Sequence, residues 1–203
     1  MSAFDKASEV ALFDSKGSRK YLTSGEADAL LAVARKADLQ TRLFCKLLYH
    51  TGARISEALA ITPRHLDSDA GRIILRTLKR RKASYRGVPV PARFMRDLVE
   101  FAADLAPDTR LFGWSRQTGW RRIRALMEKA GIEGAQAKPR GLRHRYGCHA
   151  IECGLPESLL GRLLGHADNS RSTRIYTFVH GPEERALIRR MWERAPSSKL
   201  RAP

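Results

Sequence analysis

One stretch interrupts an otherwise helical pattern and limits what this chain can become. From Gly71 to Arg96 there are nine basic residues and no acidic one. Within it, Arg72–Thr77 (RIILRT) and Gly87–Val90 (GVPV) read as strands, joined by a basic turn (LKRRKASYR). A small antiparallel ribbon is expected there, carried on helices on both sides. The fold class is therefore mainly α with a small antiparallel β-sheet. A ribbon of this charge has the right shape to lie along a DNA backbone. The plainer alternative is a charged edge strand that prevents aggregation.

The flanking segments show helical spacing. Residues 1–20 are polar and irregular and read as a loose arm. Thr23 and Glu26 form a capping-box pattern, followed by Leu30, Leu31, Val33 and Ala34 on a helical repeat. A second helix is expected over Thr41–His50. Gly52 breaks it, and a short helix restarts near Ala53 and ends before Pro63. Further helices are expected at 92–105, 117–130, 141–152, 156–164, 170–177 and 182–194. Trp114, Trp120 and Trp192 read as core residues rather than as stacking platforms for bases.

Charge narrows the partner. The chain has 203 residues, with 38 Lys plus Arg against 21 Asp plus Glu, a net charge of +17. Such an excess points to a polyanion, with nucleic acid first, although a basic surface can also serve solubility. No run is long and apolar enough for a membrane span or a secretion signal, so a cytoplasmic protein is expected, nuclear if the source has a nucleus. In a bacterium it is expected at the nucleoid. Cys45, Cys148 and Cys153 are odd in number and lack a metal-ligand spacing, which suits free thiols in a reducing compartment.

A second basic cluster is more specific. Lys138, Arg140, Arg143 and Arg145 crowd a predicted helix start at Pro139. That end of a helix is already positive, so cations gathered there make sense if an anion joins them. Ion pairing with distant carboxylates is the alternative. Arg54, just after Gly52 at the start of a short helix, repeats the pattern.

Taken in order, these pieces resemble the tyrosine recombinase, or phage integrase, family. Thr51–Leu59 (TGARISEAL) looks like its first box, with Arg54 and the supporting acid Glu57. Leu75–Lys79 (LRTLK) supplies the hairpin lysine, with Lys82 as a rival. Pro139–His144 (PRGLRH) resembles the second box, with Arg143. Leu163–His166 (LLGH) resembles the third, and Thr173–Thr177 (TRIYT) carries Tyr176 ten residues after His166. Arg140 stands where family members usually have His or Lys. Arginine donates to phosphate but cannot transfer a proton near neutral pH, so Arg140 is expected to be a phosphate contact. With 50 residues before Thr51, the N-terminal clamp domain of many members is expected to be absent, as in the fimbrial phase-variation recombinases.

The resemblance implies the catalytic-domain fold shared with type IB topoisomerases. It also implies cleavage and rejoining of double-stranded DNA through a 3′-phosphotyrosine, in integration, resolution or inversion. Tyr176 would be the nucleophile, Arg54 and Arg143 the phosphate clamp, Lys79 the general acid and His166 a base or hydrogen-bond partner. Arg76, Arg80, Arg81, Lys82, Arg86, Lys138 and Arg145 are expected on DNA. Neither metal nor cofactor is expected. Two other functions stay open: a topoisomerase-like enzyme, or a DNA-binding accessory or regulatory protein with weakened catalysis. The expected organisation is an arm (1–20), a catalytic domain (21–180) and a C-terminal helix and tail (181–203). Leu187, Ile188, Met191 and Trp192 make an apolar stripe on that helix. It packs in cis on its own domain or in trans on a neighbour. A monomer that assembles on DNA into a dimer and then a tetramer is expected, with accessory bending or partner proteins as possible additions.

Overall fold

The computed structural model describes residues 12–77, 84–166, 173, 175–179 and 181–193. Helix α1 spans Ser24–Arg35, α2 Leu39–Thr51 and the single turn α3 Ile55–Ala58. A 3₁₀ turn at Pro63–His65 leads into strands β1 (Leu66–Asp67), β2 (Arg72–Thr77) and β3 (Ser84–Pro89). Helices α4 (Ala92–Ala102), α5 (Arg116–Lys129), α6 (Pro139–Glu152) and α7 (Glu157–Leu164) follow. After a 3₁₀ turn at Ile175–Phe178, α8 runs from Pro182 to Glu193.

Local chemistry explains the boundaries. The Thr23–Glu26 capping box forms: Glu26 N–H donates to Thr23 Oγ1 at 3.2 Å, and Thr23 N–H donates to the Glu26 carboxylate at 2.8 Å. Asp38 caps α2 by accepting from Thr41 N–H at 2.9 Å. Gly52 ends that helix with φ +58°, a left-handed conformation that costs a residue with a Cβ more. Pro139 opens α6, where its missing N–H has no helical partner to lose.

The strands pair antiparallel in the order β1-β2-β3. Ile73 faces Val88, Leu75 faces Arg86 and Thr77 faces Ser84. Ile73, Leu75 and Thr77 are buried while Arg72 and Arg76 are exposed, so one face of the ribbon lies on the core. Two details differ from the sequence reading. The two-residue strand β1 is an addition too short to leave a pattern. β3 begins at Ser84 rather than Gly87, because full pairing with β2 carries the ladder into the basic segment. The turn residues Lys79, Arg80, Arg81 and Lys82 lie outside the described residues, as does half of the helix expected at 170–177.

The main core joins α1–α6 and the inner face of the sheet. Phe44 is fully buried and meets Phe112 edge-on at 5.0 Å and Trp114 at 5.4 Å between ring centroids. Arg122 lies over Trp114 at 4.4 Å. A smaller cluster gathers Leu12, Cys148, Ala150, Leu160, Leu164 and Tyr176. Leu12 corrects the expected loose arm over residues 12–20. It is buried, Phe13 bridges to Arg19, and Arg19 pairs with Glu26, which together dock this segment on the domain. Trp120 corrects the core expectation for the tryptophans: it is 43% exposed on α5. The side chains of Met191 and Trp192 lie outside the described residues.

The Phe44 contacts carry a direct consequence. Phe44→Ala should lower unfolding free energy by about 3–5 kcal/mol, the range for a truncated core aromatic. Urea unfolding followed by circular dichroism measures it; a loss below about 1 kcal/mol would mean that the ring is not the keystone of this cluster.

Candidate active site

Helix α6 organises the site. It is buried on nearly every side, at Pro139, Gly141, Leu142, Arg143, His144, Arg145, Gly147, Cys148 and Ala150. Such a helix shows no simple apolar stripe, and its polar side chains must find partners inside the protein. Arg143 does so through α2 and α7. Its Nη1 donates to Gly52 O at 2.7 Å, and its Nη2 to Leu164 O at 2.8 Å and to His166 Nε2 at 3.0 Å. Among the described residues Arg143 forms no ion pair. Burial is the main reason its pKa falls to about 9, with the nearby charge of Arg54 next.

Arginine can only donate, so His166 Nε2 accepts from Arg143 and the imidazole proton sits on Nδ1. That Nδ1 is 2.8 Å from Thr173 Oγ1, to which it donates. Burial first, then the charges of Arg143, Arg54 and Arg86, push His166 down to about 3. His166 is therefore neutral at pH 7. Thr173, three residues before Tyr176, ties the histidine to the segment that carries this tyrosine.

Glu57 supplies the one carboxylate among these groups, and its side chain is fully buried. It pairs with Arg54 Nη1 at 2.8 Å, accepts from Arg54 N–H at 3.0 Å and pairs with Arg86 Nη2 at 2.6 Å. Burial raises its pKa most, but the bonds from Arg86 and Arg54 outweigh that, and the net direction is down. Three guanidinium groups thus gather around one carboxylate. Arg54 keeps 29% of its side chain exposed, so part of this positive site reaches the surface. Arg140, at the second position of α6, is exposed, and Lys138 is half-buried at its N-cap.

Tyr176 is only 1% exposed. Its ring lies in a notch made by Gly147: a Cβ there would meet the ring at 2.2 Å. The hydroxyl lies 3.4 Å from His144 Nδ1. Burial raises the phenol above the usual tyrosine range, more than Arg143 and Arg54 pull it down. His144 is also buried, its Nε2 has no hydrogen-bond partner among the described residues, and burial followed by the charges of Arg140 and Arg143 brings it to about 3.

The structure brings together Arg54, Glu57, Arg143, His166 and Tyr176 from segments far apart in sequence. Two residues expected on DNA are elsewhere. Arg86 is buried and bonded to Glu57, Thr77 and Leu163, because its β-strand parity turns it inward. Arg145 is buried and pairs with Glu152 at 3.0 Å and Ser24 at 3.0 Å, the ion-pairing alternative for this cluster. Arg76 remains on the outer face of the ribbon. Sequence reasoning missed His144 and Thr173. His144 was in view inside the PRGLRH box, but only the fold puts it beside Tyr176.

The family model described as the phage integrase family matches residues 20–181. The chain belongs to the phage integrase family. This integrase-family chain is 30% identical over 181 residues to tyrosine recombinase XerA of Pyrococcus furiosus, covering 84% of the chain and 61% of the relative. It is 36% identical over 155 residues to tyrosine recombinase XerD of Mycobacterium tuberculosis, covering 70% and 48%. It therefore spans about half to three-fifths of the length of these relatives. A crystal structure of XerH site-specific recombinase bound to its difH substrate, before cleavage, superposes with a TM-score of 0.67. That match has 25% identity and covers 83% of this chain and 52% of the other. The mainly helical fold with a small sheet is thus that of tyrosine recombinase catalytic domains.

The Gly147 notch can be tested in this integrase-family domain. Alanine normally stabilises a helix over glycine by about 1 kcal/mol, so Gly147→Ala should keep the helix while evicting the ring. The Tyr176 phenol should then titrate nearer its ordinary value of about 10. NMR titration of ring-labelled tyrosine, with Tyr176→Phe for assignment, reads this. An unchanged, elevated midpoint would show that the ring does not rest on Gly147.

Proposed function

We propose that this chain is the catalytic part of a site-specific DNA recombinase that cuts and rejoins double-stranded DNA through a 3′-phosphotyrosine. The observation that carries the reading is the cluster of Arg54, Arg86 and Arg143 around a single carboxylate, with Tyr176 alongside. The cluster has more positive charge than it neutralises, and a phosphodiester supplies the missing anion. The XerH protein of the same fold, bound to difH DNA, supports a duplex as the ligand.

The reaction divides among these residues. Arg54 and Arg143 hold the non-bridging oxygens and stabilise the charge that builds on them. Turning Arg143 Nη2 onto phosphate releases the lone pair of His166 Nε2. The phenol of Tyr176 leaves its notch and its oxygen bonds to phosphorus as the bond to the 5′-oxygen breaks. The phenol proton passes to neutral His166, and the departing 5′-oxygen takes a proton from the hairpin lysine, Lys79. Rejoining runs the same steps backwards, so the phosphodiester energy is kept in the covalent intermediate. Arg140, exposed at the helix N-terminus, adds a phosphate contact without moving a proton.

The experiment is covalent capture. The chain is incubated with fragmented genomic DNA of its source, denatured, and the attached duplexes are sequenced. Tyr176→Phe should bind DNA but give no denaturation-resistant adduct, and Arg54→Ala should slow adduct formation at least about 10²-fold. An adduct that survives in Tyr176→Phe would remove Tyr176 as the nucleophile. Binding to the captured duplex should weaken with salt at a log–log slope near −5 for about six phosphate contacts.

Helix α8 bears on assembly. Among the described residues, Arg185 Nη2 of this helix donates to Glu152 O at 3.2 Å, and Leu187 is 58% exposed. We propose that its apolar face packs on a neighbouring protomer when the protein assembles on DNA. Removal of residues 181–203 should leave the melting temperature within a few degrees of the full chain while reducing cooperative DNA binding in gel shifts. A large fall in melting temperature would show packing in cis.

A further inference from the structure

Arg86 sits where the proposed mechanism has no part for it. It is opposite Leu75 in the β2–β3 ladder, on the inner face, with 8% of its side chain exposed. Its guanidinium reaches three separate segments. Nη2 donates to Glu57 at 2.6 Å, Nη1 to Thr77 Oγ1 at 3.0 Å and Nε to Leu163 O at 2.8 Å. Each partner lies close in sequence to a site residue: Glu57 is three residues from Arg54, Thr77 two from Lys79, and Leu163 three from His166.

We propose that Arg86 is a positioning residue, which fixes the base of the β2–β3 hairpin at Thr77 against the arginine site, and that proton delivery by the hairpin lysine depends on it. The inference rests on the recombinase reading above. The Glu57 and Leu163 bonds anchor the guanidinium to the site side. The Thr77 bond carries that register to the last described residue of β2, two positions before Lys79 in the sequence.

The geometry suits arginine alone. A planar fork of N–H groups can serve three acceptors in fixed directions, whereas a lysine ammonium is a point charge on a flexible stem. Leu163 O belongs to the last turn of α7, where carbonyls lack helical partners and a cation is favoured. The packing leaves no slack: a Cβ on Gly165 would lie 2.7 Å from Arg86 Nη1 and 3.0 Å from Thr77 Oγ1. Stability alone gives little reason for such a pair, since an apolar pair of equal volume often does as well inside a protein. What the pair adds is direction, and the hairpin is the element that needs it.

The test separates positioning from a structural role. The duplex recovered by covalent capture is resynthesised in two forms, with an ordinary scissile phosphate or with sulfur replacing the 5′-bridging oxygen. Departing sulfur needs no proton, so the second duplex reacts without the hairpin lysine. Arg86→Lys keeps a charge beside Glu57 but cannot hold Thr77 and Leu163 together. Adduct formation should fall at least about 10-fold on the ordinary duplex, part of the roughly 10²–10⁴ that a general acid contributes. It should stay within about threefold of the parent chain on the sulfur duplex. If Arg86→Lys melts below the assay temperature, Thr77→Val makes the same comparison with the Glu57 pair intact. An equal fall on both duplexes, or none on either, overturns the proposal. A parent chain that forms no adduct on either duplex overturns the recombinase reading itself.

Discussion

The buried carboxylate of Glu57 is what the rest of this site depends on. Three guanidinium groups crowd a small volume, and without an anion among them their repulsion and desolvation would force the segments apart. Glu57 is placed to serve two of them at once because α3 is a single turn. Its Oε1 accepts from the Arg54 side chain, and its Oε2 accepts from both the Arg54 backbone N–H and Arg86. Arg143 receives no carboxylate of its own among the described residues and relies on two backbone carbonyls and a neutral imidazole. The site therefore holds more cations than anions among the described residues, which suits it to a phosphate.

The same burial restrains Tyr176, the proposed nucleophile. Tyr176 rests in the Gly147 notch, 1% exposed and with its phenol hard to ionise. A tyrosine in that state is shielded from solvent, and the proposed mechanism requires it to be drawn out of the notch. The partners of Arg143 and His166 would rearrange together when phosphate enters, because they share one hydrogen bond. The hydroxyl of Thr173 adds a link from that bond to the segment that carries Tyr176.

Much of the site was legible before any coordinates. Arg54, Glu57, Arg143, His166 and Tyr176 stand in recognisable boxes in a fixed order, and the structure brings these distant boxes together. The ribbon was legible from its basic, strand-like run, although its exact reach was not. Arg86 was misread as a DNA contact because its charge was weighed above its parity: Val88 points inward, and Arg86 lies two residues earlier on the same face. Arg145 was misread for a similar reason, since its partner Glu152 lies two helical turns further along α6. Leu12 was hidden in a polar segment, where one buried apolar residue leaves no periodic signal.

By itself the sequence determined the chemistry: which side chains are present, their order, the strong positive charge, and the local caps and breaks at Thr23, Gly52 and Pro139. Those properties depend on residue type and on neighbours within a turn or two. Tertiary structure alone decided which of the cations stay exposed and which are consumed inside. It also decided that Tyr176 waits in a notch, that His144 stands beside it, and that Arg86 joins three boxes. These outcomes depend on contacts between residues tens of positions apart, and burial there turns identical guanidinium groups into a donor to backbone carbonyls, an internal ion pair or a surface charge.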